Sequence, residues 1–326
     1  MNGTELADPA VAAALPPFVA VLLALLGGAI SLSTPYLFVS LGECITERSG
    51  RVNLGLEGTM ILGAVSSYAV AYQVATANPG AAWLAPWLGV LLAGCVGVVM
   101  GALHAFLCSR PRVNHIAVGI ALMIFGVGLA IYLGKPYIQP KAPHLQALPL
   151  GDWSSYEAIR SALKINGLFL VGLAIAPFLS WAFVNTRWGM VLRMAGESSD
   201  AARALGYSVN RVRLLATCAG GFLAGIGGSF LSLYNPGIWA EGLSRGQGLM
   251  AVALVIFARW NPLYCLFASL MFGAAEALGP ALQNVGLSRG YQLYAALPAA
   301  LTLIIMIATC STKRTLAGAP AELTVG

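Results

Sequence analysis

The chain has 326 residues, of which 58% are hydrophobic and only 9% charged, and its mean hydropathy is +0.79. A soluble domain carries about 25% charged residues, and even a large core leaves a polar surface to cover, so the composition excludes a soluble globular protein and predicts a polytopic membrane protein. The net charge of +6, from 18 Lys and Arg against 12 Asp and Glu, then belongs to cytoplasmic loops and not to nucleic-acid binding.

A hydrocarbon core of about 30 Å needs about 20 apolar residues per helix. Cutting the sequence at its polar and Pro/Gly breaks gives ten apolar segments, at about 18–32, 35–46, 53–74, 82–107, 115–134, 167–185, 212–234, 247–258, 263–284 and 291–310. The second and eighth are too short to cross alone, so eight or nine spans are also compatible with the pattern. The runs are continuous, where barrel strands would alternate over about 10 residues, so an all-α bundle of about ten (8–10) transmembrane helices is expected. No Lys or Arg precedes the first apolar run, which is therefore expected to stay as a span and not to be cleaved as a signal peptide.

With the N-terminus inside, the connections on the inner side hold twelve of the 18 basic residues, among them Arg48, Arg51, Arg110, Arg193, Arg203, Arg211 and Arg213. The outer connections hold Lys135, Lys141, Arg160, Lys164, Arg245 and Arg289. This bias predicts cytoplasmic N and C termini, a long extracytoplasmic loop at 135–166 and a cytoplasmic segment at 186–211. Trp83, Trp87, Trp153, Trp181, Trp188, Trp239 and Trp260 mostly fall near span ends, as an interfacial belt would place them.

Two stretches inside the membrane zone break the apolar pattern. In LGECITERSGRVNLGLEGTMILGA, residues 41–64, carboxylates stand at membrane depth, where they are costly and usually face protein or a wet cavity. Glu43, Asn53 and Glu57 are candidates to line a solute path; the structural alternative pairs Glu47 with Arg51 at helical spacing and has Glu57 tie down backbone amides or Arg48. In YNPGIWAEGLSRGQGLMAVALVIFARWNP, residues 234–262, a Gly- and Pro-rich turn leads into a short apolar run, and interrupted segments point to solute sites in transporters. Tyr234, Asn235 and Gln247 suit a polar, ring-shaped solute there, and an ordinary re-entrant loop accounts for them equally. Glu276 is the other acid inside a span, expected to hydrogen-bond a neighbouring helix or subunit.

Glu197 to Leu215, ESSDAARALGYSVNRVRLL, is the one long polar, helix-prone segment between spans, a rigid handle for a cytoplasmic protein. A short helix is expected to start near Ser198 or Ser199, with Asp200 in its first turn, Ala201 and Ala202 keeping one face slim and Gly206 ending it. Arg203 and Arg211 offer charge to an acidic partner. Gly94, Gly97 and Gly101, and then Gly220, Gly221, Gly225 and Gly228, are spaced for close helix approach. Cys44, Cys95, Cys108, Cys218, Cys265 and Cys310 stand singly without a CxxC pair, predicting no disulfide and no metal site, and His104 and His115 lack further ligands at metal spacing. There is no GxxxxGK[ST] loop, HExxH or GxSxG, so catalysis is not expected and any nucleotide must bind on another protein.

These residues carry a resemblance. Asp200, Ala201, Ala202 and Gly206 match the EAA loop of bacterial ABC importer permeases, with Asp in place of the usual Glu. GESSDAARALGYSVNRVRLLATCAGGFLAGIGGSFLSL resembles the loop and following span of the branched-chain amino acid and simple-sugar permease family. TPYLFVSLGECITERSGRVNLGLEGTMILGA and GQGLMAVALVIFARWNPLYCLFASLMFGAAEALGPALQ are similar to its nucleoside and simple-sugar branch, and the likeness covers residues 15–310.

The resemblance implies a type II importer permease, a single transmembrane domain over residues 1–326 in the bacterial cytoplasmic (inner) membrane, with no cofactor of its own. It implies an ABC ATP-binding subunit that binds ATP and Mg, a second homologous permease subunit and an extracytoplasmic solute-binding protein. Glu197 to Gly206 would be the coupling helix that docks in the ATPase. The solute implied is a nucleoside; ribose-like sugars or branched-chain amino acids are the alternatives inside the family, and a secondary transporter or channel is the alternative outside it.

Overall fold

The computed structural model describes residues 16–110, 112–283, 296–309 and 318–323. Among them the chain forms α1 (Pro17–Arg48), α2 (Leu56–Ala77), α3 (Ala85–Cys108), α4 (His115–Gly134), α5 (Glu157–Ala162), α6 (Gly167–Asn185), α7 (Arg187–Glu197), α8 (Ser199–Ala204), α9 (Val209–Leu233), α10 (Gln247–Phe257), α11 (Pro262–Gln283) and α12 (Leu297–Thr309). Seven of these helices, α1, α2, α3, α4, α6, α9 and α11, are long and apolar enough to cross a membrane. The 135–166 connection carries an antiparallel pair, β1 (Ala147–Pro149) and β2 (Lys164–Asn166), and α5, which packs on α1 with Ala162 against Gly27.

Helix starts follow local chemistry. Asn114 accepts hydrogen bonds from the Ile116 and Ala117 amides ahead of α4, Asn166 from Leu168 ahead of α6, and Thr186 from Gly189 ahead of α7. Each satisfies amides that have no partner within the helix.

α1 corrects the segment count. Segments 18–32 and 35–46 are one helix of 32 residues with Pro35 inside it. The polar residues that suggest a break are satisfied within the helix, since the Ser33 and Thr34 hydroxyls both donate to the Ile30 carbonyl at 3.0 Å, and proline is tolerated in membrane helices whose surroundings re-satisfy the backbone. At 1.5 Å per residue α1 is about 48 Å long, enough for one continuous span. The expected segment 291–310 lies partly outside the described residues; its described part is α12.

The centre of the bundle is α9, packed against α1, α2 and α3. Glycines permit this. Gly97 of α3 faces Gly221 and Gly225, Gly42 of α1 faces Gly220, and Gly228 lies against the Met60 carbonyl of α2, each so close that a Cβ would collide with backbone. Without a hydrophobic driving force between helices in lipid, such contact supplies the packing attraction. Trp83, Trp153, Trp181 and Trp188 are exposed as a belt requires, whereas Trp239 and Trp260 are buried in the core.

Candidate functional site

On the Arg48 face, α7 and α8 stand between the spans α6 and α9. α8 is capped at its start by Ser198, whose hydroxyl accepts from the Ala201 amide at 3.2 Å, and is terminated just beyond its end by Gly206, where φ is +85°. That left-handed conformation costs a side-chain-bearing residue about 1–2 kcal/mol and lets the Gly206 and Tyr207 amides reach the Arg203 and Ala202 carbonyls at 2.9 and 3.0 Å. Ala202 is buried with Ala195 and Val209, while Glu197, Asp200, Ala201 and Arg203 are exposed. Arg203 pairs with Asp200 at 3.0 Å, an exposed contact of small energetic weight. Leu205 and Tyr207, which the sequence did not single out, are also exposed beside these charges. Apolar side chains standing among charges on an outward helix suit a protein partner.

The buried carboxylates of α1 and α2 brace the fold. Glu43, fully buried, accepts from the Asn53 amide at 2.6 Å, and the Asn53 side chain accepts from the Gly55 amide at 2.9 Å. Glu47 does not pair with Arg51: it accepts from the Trp260 indole N–H, while Arg51 donates to the Ala105 carbonyl at 3.1 Å. The reason is that α1 ends at Arg48, so helical spacing no longer applies at Arg51. Arg48 donates to the Trp260 carbonyl at 2.9 Å, which fastens the end of α10 to the end of α1.

Glu57 holds the other end of α10. Its Oε1 accepts from the Ser244 hydroxyl and, at 3.0 Å, from the Gly246 amide; its Oε2 accepts from the Gly248 amide at 2.7 Å. α10 has 11 residues, about 16 Å of helix, so Gln247 begins it about halfway through a hydrocarbon core.

Beyond that start lies a cavity of about 750 Å³ bounded by α1, the turn 234–246, α11 and α12. Its polar lining is Tyr36, Asn235, Glu241, Arg245, Gln247 and Glu276. The Gln247 amide donates to both Glu276 carboxylate oxygens at 3.2 and 3.3 Å, and Asn235 donates to the Ser31 hydroxyl at 3.0 Å. Of the six pathway candidates from sequence, Asn235 and Gln247 line this cavity. Glu43, Asn53 and Glu57 lie behind it in the packing, and the Tyr234 ring packs on Phe230 at 5.0 Å. Tyr36, Glu241 and Arg245 reach it unannounced, because nothing local marks which face of α1 or of the turn looks inward. Among the described residues no cluster of three His, Cys, Asp or Glu could hold a metal ion, and Cys44, Cys95, Cys108, Cys218 and Cys265 are free thiols.

A family model for the permease component of branched-chain amino acid transport systems matches residues 24–310. The nucleoside ABC transporter permease protein NupC of Lactococcus lactis is 31% identical over 254 residues, covering 76% of this chain and 78% of its own. The guanosine ABC transporter permease protein NupQ of Bacillus subtilis is 29% identical over 261 residues, with 76% and 78% covered. A Haloferax volcanii protein, TsgC13, provisionally named a glucose ABC transporter permease, is 32% identical over 269 residues, with 81% and 79% covered. With seven apolar helices of spanning length among the described residues, the glycine-packed α9 at their centre, and a match over nearly its whole length, the chain belongs to the branched-chain amino acid transport system permease family, the multi-pass membrane permease subunits of ABC importers.

Proposed function

We propose that this permease passes an uncharged nucleoside through the cavity at Tyr36, Gln247 and Glu276, by alternating access driven by a separate ATPase that grips α8. The similarity to NupC and NupQ over three quarters of the chain carries the choice of solute. The cavity chemistry supports it: amide, carboxamide and phenol groups suit a polar ring, and two carboxylates against one guanidinium disfavour an anionic nucleotide. Its volume falls in the range of small-molecule sites, about 300–1,000 Å³. A simple sugar is the second reading, favoured by the equal likeness to TsgC13.

Partners follow from what the chain lacks. Without a phosphate loop, ATP and Mg are held by the ATP-binding subunit, and movement of α8 biases the permease between inward-facing and outward-facing states. A second homologous permease completes the pore, and a solute-binding protein delivers at the face carrying 135–166. The topology consistent with one continuous α1 keeps the Arg48 face and the C-terminal residues 318–323 cytoplasmic and the start of α1 outside.

Uptake of radiolabelled guanosine, adenosine, uridine and glucose by cells carrying the complete transporter tests this, with Gly206→Glu as the comparison. Nucleoside uptake should fall about tenfold or more in the variant, a coupling free energy of about 1.4 kcal/mol, at unchanged membrane level. Glucose uptake without nucleoside uptake would replace the solute. Uptake indifferent to Gly206→Glu would remove the coupling role of α8.

A further inference from the structure

The described C-terminal residues, 318–323, return to the root of α8. Glu322, in the 3-10 turn Ala321–Leu323, accepts a hydrogen bond from the Ser199 amide at 2.8 Å through Oε1 and pairs through Oε2 with Nη2 of Arg213 at 3.1 Å. Ser199 is the first residue of α8, and its amide has no partner inside the helix. The Ser198 hydroxyl serves Ala201, so Glu322 is the second acceptor at this helix start, brought from 123 residues away.

Arg213 extends the link. It is buried in the first turns of α9, and it donates to the Ser49 carbonyl at 3.0 Å and to the Ala195 carbonyl at 3.4 Å. Ser49 caps α1 and Ala195 belongs to α7. One carboxylate and one guanidinium therefore connect α8 to α1, α7 and α9. Ala319 and Leu323 pack on the main core on either side of Glu322, and Gly50 lets the strap approach, since a Cβ there would sit 2.9 Å from that of Glu322. Burial pushes the Glu322 carboxyl up, but the Ser199 amide and Arg213 outweigh it and hold it below the usual carboxylate range, so it is ionised at neutral pH.

α8 needs such a link. It is joined to its neighbours through Ser198, with extended backbone, and Gly206, with positive φ, two joints that break the helical path on either side of six residues. Its own packing rests on the small side chains Ala195, Ala202 and Val209, with Met194 and Val212 beside them.

We infer that Glu322 is a positioning residue for energy coupling, locking α8 to the roots of α1 and α9 so that a displacement imposed on α8 moves those spans and is not lost in its two joints. This rests on α8 being the handle for the ATPase. The direct measurement is the amount of solute transported per ATP hydrolysed by the complete transporter in proteoliposomes, for the wild type, Glu322→Ala, Glu322→Gln and Gly206→Glu. Glu322→Ala should lower that ratio about fivefold while ATP hydrolysis continues, and Glu322→Gln, which keeps an acceptor for Ser199 but loses the ion pair, should fall between. A ratio does not move when some protein merely fails to fold, and if Glu322→Ala does not assemble, the nearly isosteric Gln variant decides. An unchanged ratio in the assembled Glu322 variants, with loss of transport in Gly206→Glu, would overturn the strap alone; transport unaffected by Gly206→Glu would overturn the reading of α8 and the strap with it.

Discussion

α8 and α10 are both too short to cross a bilayer, and they differ in what satisfies their first amides. α8, with six residues on the Arg48 face, is capped by the adjacent Ser198 in addition to the distant Glu322. α10, with 11 residues and its start at membrane depth, follows Gly246 at φ +82° and has no local side-chain cap. Its acceptors come from Glu57, on a helix nearly 190 residues earlier. Outside the bilayer an uncapped amide finds water; at depth every backbone group must be satisfied by protein. A glycine turn has no side chain to supply the acceptor, so the carboxylate comes from α2, and Gly248 leaves it room, since a Cβ there would sit 2.6 Å from the Glu57 Cα.

The largest effect should come from removing that distant cap. Glu57→Ala strands the Ser244 hydroxyl and the Gly246 and Gly248 amides, each worth about 1–3 kcal/mol when buried without a partner. Thermal unfolding of the purified permease in detergent should show a loss of at least about 3 kcal/mol. An unchanged midpoint would mean that water serves the start of α10, and the contrast with α8 would disappear. Next in size is Gly228→Ala, where α9 meets α2. The added methyl runs into the Met60 carbonyl oxygen, and overpacking of this kind costs about 1–3 kcal/mol. The same unfolding assay should register it, with the loss concentrated in the bundle and the exposed face of α8 untouched; a neutral result would show that α9 can shift away from α2.

How far the sequence announced all this follows from the same contrast. The short helix from Ser199 to Ala204 and its glycine end were legible at Ser198, Asp200 and Gly206, because cap and breaker sit beside the helix they control. α1 was misread, since Ser33, Thr34 and Pro35 look like a stop in isolation and are satisfied by Ile30 and the surrounding helices. The structural alternative that pairs Glu47 with Arg51 rests on spacing, whereas the Glu47 carboxylate accepts from Trp260, at a separation of 213 residues. Asn235 and Gln247 were recognisable as polar groups beside a broken span and do reach the cavity. Tyr36 was not, because a lone tyrosine in an apolar run reads as core, and the role of Glu322 had no local signal at all.

The smallest effect belongs to Ser198→Ala. Loss of a serine N-cap costs about 0.5–2 kcal/mol, but here the cost should stay local: the Ser199 amide keeps Glu322, and α8 buries only Ala202 of its own residues. Global unfolding should hardly move. Hydrogen exchange at the Ala201 amide, which loses its acceptor, should accelerate about fivefold or more, the factor that corresponds to about 1 kcal/mol. Were the loss to appear instead in the unfolding of the whole permease, α8 would be as firmly built into the bundle as α10, and the difference between a helix with a local side-chain cap and one whose side-chain acceptors all come from across the fold would be one of sequence distance and not of energetic role.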